Sequence, residues 1–269
     1  MYSCKTLIAT SGDAAVQDKR LSICLGANGF SFSETTSAGV LLTFGEAEGV
    51  HASGITEATR EVKAFFAEVG IRPLGYKSME LIVISDESTW VPDELYSVTA
   101  NRQYLKLVGS KAVSVMTCHS AALGSTAVYA ANDQLAMAFK VALPGLNVIN
   151  QHAKMVQLKE RSKGHPVLFT HWRKGMVDVA ACKDGRYLFG NTLRYESGDE
   201  AIFRIMEVVK STTLEGGNAE LMLCGDVDRE MYGLMSPYFP KTTLYGGECR
   251  IESAEFAKLR TYKYALILM

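Results

Sequence analysis

The sequence of 269 residues repeats itself, and the repeat limits the folds that the chain can adopt. Short segments near the start recur in the same order later in the chain, and the spacing between partners shrinks steadily, as if the second copy had lost loop residues. The pairs are Asn28-Gly29-Phe30 with Lys174-Gly175-Met176, Phe44-Gly45 with Phe189-Gly190, Ser53-Gly54 with Ser197-Gly198, Glu80-Leu81 and Asp86 with Glu220-Leu221 and Asp226, and Glu94-Leu95-Tyr96 with Glu230-Met231-Tyr232. A duplicated unit of this size predicts two similar subdomains that face each other across a cleft.

Each copy has the hydrophobic pattern of three strands, a helix, a strand and a second helix. In the first copy, apolar and polar residues alternate beside Asn28-Gly29, which is typical of a hairpin with a type I′ turn. Apolar residues at helical spacing begin near Ile55 and stop before Gly70, and Pro92 begins the second helix. The predicted strands are 21–25, 30–34, 39–44 and 80–85.

The second copy follows the same order. Ser197 and Glu200 form a capping box at the start of its first helix. Its predicted strands are 167–170, 176–181, 187–189 and 220–224, and its second helix is 228–235. The joining segment, 145–164, contains a charged helical stretch at 154–163, interpreted as a solvated face or partner surface, but no Ser/Gly-rich linker. We therefore expect two subdomains, 1–145 and 146–269, that pack together.

The charge balance argues against a polyanionic partner. The chain has 28 Lys and Arg against 29 Asp and Glu, which provides no general field for nucleic acid or an anionic membrane. The least charged stretch, 113–131, contains Gly124 and several hydroxyls, and predicts two buried strands around a turn rather than a membrane span. The apolar run near the N-terminus is too short for a secretory signal. We expect a cytoplasmic protein with no transmembrane segment and no nucleic-acid partner.

The cysteines and histidines do not form a recognisable catalytic or metal site. The six cysteines lack the C-x-x-C spacing of metal ligands, which predicts reduced, structural thiols. A hydrolase built on Cys118 is rejected, because Cys118 and His119 are neighbours on a strand and point to opposite faces. The other histidines, at positions without ligand spacing, are His51, His152, His165 and His171. The apolar C-terminal run, 262–269, is expected to dock on the core, the alternative being an edge offered to a partner.

Several segments resemble a known fold family. Leu21-Ser22-Ile23, Asn28-Gly29-Phe30-Ser31-Phe32 and Val91-Pro92-Asp93-Glu94-Leu95-Tyr96 resemble an uncharacterised bacterial family with an actin-like ATPase fold. The second half is similar to the actin homologues of pilus assembly and cell division, because Leu221-Met222-Leu223-Cys224-Gly225 looks like the strand before their adenosine loop. This resemblance implies an α/β fold of two duplicated ribonuclease-H-like subdomains.

The resemblance also implies a nucleotide site, which the sequence does not support. In such proteins each hairpin turn cradles phosphate, and an adjoining Asp organises magnesium. Here neither hairpin strand, at 25–29 or 170–175, carries an Asp, and Asp226 stands where a second glycine is expected. We therefore predict no catalytic residue, no metal and no cofactor. The expected function is that of a pseudo-enzyme that binds or assembles with a protein partner.

An alternative is a diverged ATPase or small-molecule kinase that binds ATP with magnesium through Glu46, Asp86 or Asp226. The weak candidates for nucleotide contact are Gly26, Asn28, Gly29, Arg173, Lys174 and Gly225. Against them, a tight hairpin explains the glycines, and the two cations at a hairpin tip are typical of a solvated turn. Trp172 is interpreted as a ligand-stacking or a core residue. An open cleft lined by carboxylates would favour the enzyme, whereas a cleft filled by Trp172 and Phe30 would favour the scaffold.

Overall fold

The computed structural model describes residues 3–9, 18–49, 54–214 and 218–269, so His51 and Ser53 lie outside the described residues. The strands are β1 (Ser3–Ala9), β2 (Lys19–Gly26), β3 (Gly29–Thr36), β4 (Leu41–Glu48), β5 (Ser78–Val83), β6 (Ser88–Pro92), β7 (Val115–Ser120), β8 (Ser125–Ala130), β9 (Asn147–Asn150), β10 (Val167–Arg173), β11 (Met176–Lys183), β12 (Arg186–Arg194), β13 (Glu220–Gly225) and β14 (Lys241–Leu244). The α-helices are α1 (Ile55–Glu68), α2 (Asn101–Leu107), α3 (Asp133–Ala142), α4 (Gln151–Met155), α5 (Gly198–Ser211), α6 (Arg229–Met235) and α7 (Ala265–Leu268).

The two large sheets share one strand order. The first sheet runs β1-β4-β3-β2-β5-β9, and the second runs β12-β11-β10-β13-β14. In both, an antiparallel meander of three strands is followed by a crossover helix and a strand parallel to the first strand of the meander. Apart from the extra edge strand β1, the order is third, second, first, fourth, fifth. The two sheets are therefore consistent with the predicted pair of ribonuclease-H-like units.

The outer face of each sheet is covered by its own helices, as the apolar spacing predicts. In the first half, the rings of Phe30 and Phe32 pack with Phe65 and Phe66 of α1 and with Phe139 of α3. In the second half, α5 covers an apolar core formed with β10 and β11. The Ser197 hydroxyl caps α5, but the Glu200 carboxylate accepts from the N–H of Glu196 instead of Ser197, so the capping box is incomplete.

A small sheet, β6-β8-β7, is inserted after the fourth strand of the first half. Residues 113–131 form β7 and β8 around a turn, as predicted. The helix predicted from Pro92 is wrong, because Pro92 ends β6 and only Asp93–Leu95 forms a short 3₁₀ turn. Proline is tolerated in an edge strand as well as in the first turn of a helix, so its presence does not distinguish these two structures.

The predicted match between 94–96 and 230–232 is also wrong. Glu230–Tyr232 lies in α6 after the fourth strand of the second sheet, whereas Glu94 belongs to the 3₁₀ turn of the inserted unit. The counterpart of α6 in the first half is α3, which follows the insertion and precedes the fifth strand. An insertion within one copy changes the spacing between all later equivalent residues. Short matching segments do not reveal that change.

The inner faces of the sheets meet in a shared core. The C-terminal helix α7 is buried there, and the Ser33 hydroxyl donates to the carbonyl of Ile267 at 2.7 Å. The apolar C-terminus is therefore docked on the core, as predicted. Lys154, expected on a solvated face, is instead buried against Glu80. The division at 145/146 stays a prediction, although β9 continues the first sheet to Asn150.

Candidate functional site

A cavity of about 640 Å³ lies where the two hairpins face each other. It is bounded by the ends of the parallel strands β2 and β5, by the start of α3, by the approach to β7 and by the second hairpin. The lining residues with polar or charged side chains are Ser85, Asp86, Glu87, Ser114, Asn132, Arg173 and Arg194. Ligands commonly bind at the carboxyl ends of parallel strands, so this cavity is the candidate site.

The first hairpin contributes small residues to the cavity. Gly26 and Ala27 line it, whereas Asn28 and Gly29 lie outside its lining. The predicted type I′ turn is wrong: Gly26 pairs with Gly29, the turn residues are Ala27 and Asn28, and neither has a positive φ. Gly29 is needed for another reason, because a Cβ there would collide with the carbonyl oxygen of Ala47 on β4. Close approach of strands therefore explains this glycine without a bound phosphate.

The second hairpin contributes a guanidinium that is already paired. Arg173 donates from Nε and Nη2 to the two carboxylate oxygens of Asp178, at 3.0 and 2.8 Å, and from Nη1 to Asp86 at 2.6 Å. Because Asp86 follows β5 and Asp178 lies on β11, Arg173 bridges the two halves across the cleft. The prediction of two solvated cations is thus wrong for Arg173, and only Lys174 is exposed at the tip.

Asp178 is fully buried, and its partners keep its carboxylate ionised. Its carboxylate also accepts from His171 Nδ1 at 3.0 Å and from the Thr192 hydroxyl at 2.7 Å. Burial alone would raise the pKa of Asp178, but the hydrogen bond from His171 and the charge of Arg173 hold that pKa well below its ordinary value. Burial would likewise lower the pKa of Arg173, and the hydrogen bonds and charges of Asp178 and Asp86 instead raise it. The two groups therefore form a permanently charged pair.

Two residues of α4 extend this network. The Gln151 amide pairs with the backbone of Ser85 at 3.0 and 2.5 Å and donates to Asp178 at 3.3 Å. His152 Nε2 lies 3.0 Å from the Thr192 hydroxyl, and His152 Nδ1 is buried without a partner among the described residues. Burial lowers the pKa of His152 to about 4, so this imidazole is neutral near pH 7.

Sequence reasoning did not identify Asp178, Gln151 or His152 as parts of a site. For Asp178 a signal was present, since it interrupts the apolar run Met176–Lys183 on a strand whose neighbours are buried. A charged residue inside such a run predicts a buried partner of opposite charge. The partner itself, Arg173, lies on the first strand of the same hairpin.

The remaining candidates do not converge on the cavity. Gly225 lies outside its lining, and a Cβ there would collide with the carbonyl oxygen of Trp172 on β10. Asp226 is exposed and lies 3.9 Å from Lys263, and Glu46 accepts from Tyr264 at 3.1 Å. Of the three alternative magnesium carboxylates, only Asp86 borders the cavity, and it is paired with Arg173. Trp172 is a core residue whose ring meets Tyr195 edge to face.

The cleft therefore matches neither of the two arrangements that would separate enzyme from scaffold. Trp172 and Phe30 are buried in the separate cores of the two halves, so neither fills the cleft. Its carboxylates, Asp86 and Glu87, are accompanied by Arg173 and Arg194. Cys118 is buried, and burial raises its thiol pKa to about 11, while His119 is exposed and pairs with Asp93 at 2.9 Å. Among the described residues, no group of three or more His, Cys, Asp or Glu side chains could hold a metal ion.

Residues 14–242 match the family described as a protein of unknown function, DUF3822. The chain belongs to this family. No curated protein has a sequence that matches this DUF3822 member. A solved structure from Bacteroides thetaiotaomicron, a protein with an actin-like ATPase fold and unknown function, is 17% identical with a TM-score of 0.66, and the match covers 84% of this chain and 90% of that one.

Two further solved structures are more distant. The ethanolamine utilization protein EutJ from Carboxydothermus hydrogenoformans is 12% identical with a TM-score of 0.47, covering 97% of this chain and 93% of that one. A PilM-PilN type IV pilus biogenesis complex is 11% identical with a TM-score of 0.47, covering 93% and 96%. The Bacteroides structure and the strand order show that this DUF3822 protein has the actin-like ATPase fold, which confirms the predicted fold class. Every helix among the described residues is too short or too polar to cross a membrane.

Proposed function

We propose that this DUF3822 protein is a non-catalytic actin-like protein that acts by binding a protein partner. The observation that supports this proposal is the Asp86–Arg173–Asp178 bridge between the two halves. The Arg173 guanidinium at the tip of the second hairpin is held by two carboxylates, and Asp86, the candidate magnesium carboxylate that borders the cleft, is held by Arg173 in turn. A triphosphate with magnesium would have to break both pairs before it could use either charge.

The proposal includes a cellular location for the protein. The six cysteines are unpaired, and burial raises the thiol pKa of Cys118 and Cys249 to about 11. Thiols of this kind fit a reducing compartment, and we infer a cytoplasmic location.

A thermal-shift titration with ATP and ADP, with and without magnesium, tests the proposal. We expect no magnesium-dependent stabilisation and no ATP hydrolysis. A ligand at about a hundred times its dissociation constant would stabilise the folded state by about 2.7 kcal/mol, which corresponds to roughly 5–10 °C in Tm for a chain of this size. A shift of that size with magnesium and ATP would contradict a non-catalytic function.

A second candidate function, nucleotide binding by a diverged site, rests on the cavity itself. Its volume of about 640 Å³ is typical of a small-molecule site, and Asp86 and Glu87 border it. If this candidate is correct, Asp86→Ala removes the magnesium-dependent shift that the wild-type protein shows. Asp226→Ala is the matched control, since Asp226 is a carboxylate at the end of the equivalent strand but lies outside the cavity. An Asp226→Ala variant that also loses the shift would argue against a site at Asp86.

A further inference from the structure

The inserted unit, β6 to β8 with α2, has the most exposed apolar side chains among the described residues. Leu107, Val113, Val98 and Leu95 are 84%, 75%, 71% and 70% exposed, and all four lie between β6 and β7. Single exposed apolar residues are normal on a protein surface, whereas a group of them within one small unit is typical of an interaction surface.

The fold of this unit arranges two of these side chains around a groove. Leu105 of α2 is buried against Val91 and Val128 of the small sheet, so the helix is anchored by one face. The 3₁₀ turn Val98–Ala100 leads into α2, and Val98 and Val113 line the same groove of about 330 Å³. The polar residues of this groove are Thr99, Asn101, Arg102, Ser114 and Asp133. We call this surface, from Val98 through α2 to Val113, the insertion groove.

Apart from Asp133, the charged residues of the insertion groove and of α2 are cations. Residues 95–132 contain no Asp or Glu, although the whole chain has 29 of them. The same stretch contains Arg102, Lys106 and Lys111, all exposed, and none of the three forms an ion pair within the described ranges. Asp133 is the single carboxylate of the groove and lies in the first turn of α3, where the helix dipole offsets its charge.

We propose that the insertion groove binds an acidic amphipathic segment of a partner protein. Apolar side chains of that segment enter between Val98 and Val113, and its carboxylates face Arg102 and Lys106. This proposal rests on the proposed protein-binding function and adds the surface and the chemistry of the partner. A concave groove with amide and hydroxyl groups suits a peptide with its own hydrogen-bonding groups better than a flat lipid surface.

The groove is continuous with the cleft between the halves. Val113 and Ser114 line both the insertion groove and the large cavity. A segment bound in the groove would therefore contact the loop that also borders the cleft.

Fluorescence anisotropy with two labelled helical peptides tests the proposal on the full chain. One peptide has leucines at i, i+3, i+4 and i+7 spacing and glutamates elsewhere, and the second has lysines in place of the glutamates. We expect the acidic peptide to bind at least about tenfold more tightly than the basic one, a difference of about 1.4 kcal/mol. Equal binding of the two peptides, or no binding of either, would overturn the proposal.

Two paired variants locate the site. Val98→Ser with Val113→Ser, and Arg102→Glu with Lys106→Glu, should each weaken binding of the acidic peptide by about tenfold. The matched control is Leu74→Ser with Lys63→Glu, which removes an exposed apolar side chain and an exposed cation elsewhere and should bind like the wild type. All six positions are exposed, so the variants should melt close to the wild type. A control variant that weakens binding equally would place the site elsewhere.

Other occupants of the groove give different results. Co-sedimentation with vesicles of phosphatidylcholine and phosphatidylserine that is lost in both groove variants, without peptide binding, would show a membrane surface instead. Self-association in analytical ultracentrifugation that is lost in the same variants would show a second copy. Either result overturns the acidic partner but leaves a non-catalytic function in place, whereas a magnesium-dependent nucleotide shift overturns that function and not the groove.

Discussion

The two hairpins that face each other across the cleft occupy equivalent positions but contain different side chains. The first turns through Ala27 and Asn28 and exposes only uncharged residues, Leu25, Gly26 and Ala27, to the cavity. The second carries Arg173, held by Asp178 and Asp86. Both lie between the first and second strands of sheets with the same strand order. The strand order depends on which faces are buried, and it does not depend on what the turns carry. The same strand order is therefore compatible with hairpins that carry different side chains.

A second difference concerns buried carboxylates. Each half buries one on its second strand, Glu34 on β3 and Asp178 on β11. Glu34 accepts from the hydroxyls of Thr43 and Tyr76, with Lys19 4.0 Å away, whereas Asp178 is paired with a guanidinium that is itself largely buried. Hydroxyl groups can reverse their hydrogen bonds when the charge is removed, and a guanidinium cannot.

The largest expected effect follows from that contrast. We expect Asp178→Asn to lower the free energy of unfolding by about 3–5 kcal/mol, because it leaves the charge of Arg173 without its buried partner. Glu34→Gln should cost only about 1 kcal/mol. Urea denaturation at neutral pH measures both. The double variant Asp178→Asn with Arg173→Met should recover part of the loss, and a double variant no more stable than the single one would contradict this explanation.

The second prediction concerns the dependence of stability on pH, which arises from buried groups of the second half. The pKa of His152, about 4 in the folded protein, is lowered chiefly by burial, with Asp178 opposing and Arg173 and His171 adding to the effect. The unfolded chain binds this proton near pH 6.5 and the folded protein does not, so stability falls as pH decreases from about 6.5 to 4 and about 3 kcal/mol is lost by pH 4. Because the pKa of Asp178 is held below its ordinary value, its contribution is present above about pH 4 and is lost only below that.

Urea denaturation between pH 7 and pH 4.5 checks this window. His152→Gln should flatten the dependence of the unfolding free energy on pH, since a glutamine can still bond to Thr192 but does not titrate. An unchanged slope in His152→Gln would show that another group titrates.

The smallest expected effect compares the glycines of the two hairpins. Gly29 has a φ of +156°, and in Gly29→Ala the added Cβ would collide with the backbone of Ala47. We expect the free energy of unfolding to fall by about 3 kcal/mol. Gly175→Ala has a φ of +70° but nothing closer than 3.7 Å, so it should cost only about 1–2 kcal/mol for the left-handed conformation. Differential scanning calorimetry of the two variants gives the comparison. Equal losses would mean that the first hairpin can move away from β4.

The sequence predicted the fold better than the site, and particular residues show why. Apolar periodicity located both three-strand meanders and the helices α1 and α5, because those patterns depend on neighbours within one element. Pro92 misled, since a proline is compatible with a helix start and with a strand edge, and so the inserted sheet was missed at that point. The turn at Asn28-Gly29 misled as well, because Gly29 is required by its close approach to Ala47 on the next strand, which the turn residues do not reveal.

The sequence by itself established the repeated pattern of three strands, a helix and a strand in each half and the absence of an Asp from 25–29 and 170–175, but not the edge strands β1, β9 and β14. Only the tertiary structure decided that Arg173 is bound to Asp178 and to Asp86, that Gln151 and His152 reach the same network, and that Val98 and Val113 share a groove. For Asp86, Gln151 and His152 the physical reason is distance along the chain, whereas the pairing of Arg173 with Asp178 depends on the register of their hairpin. Local patterns reveal which face of an element is buried, whereas the partner of a buried charge comes from whichever distant segment the fold brings within a hydrogen bond of it.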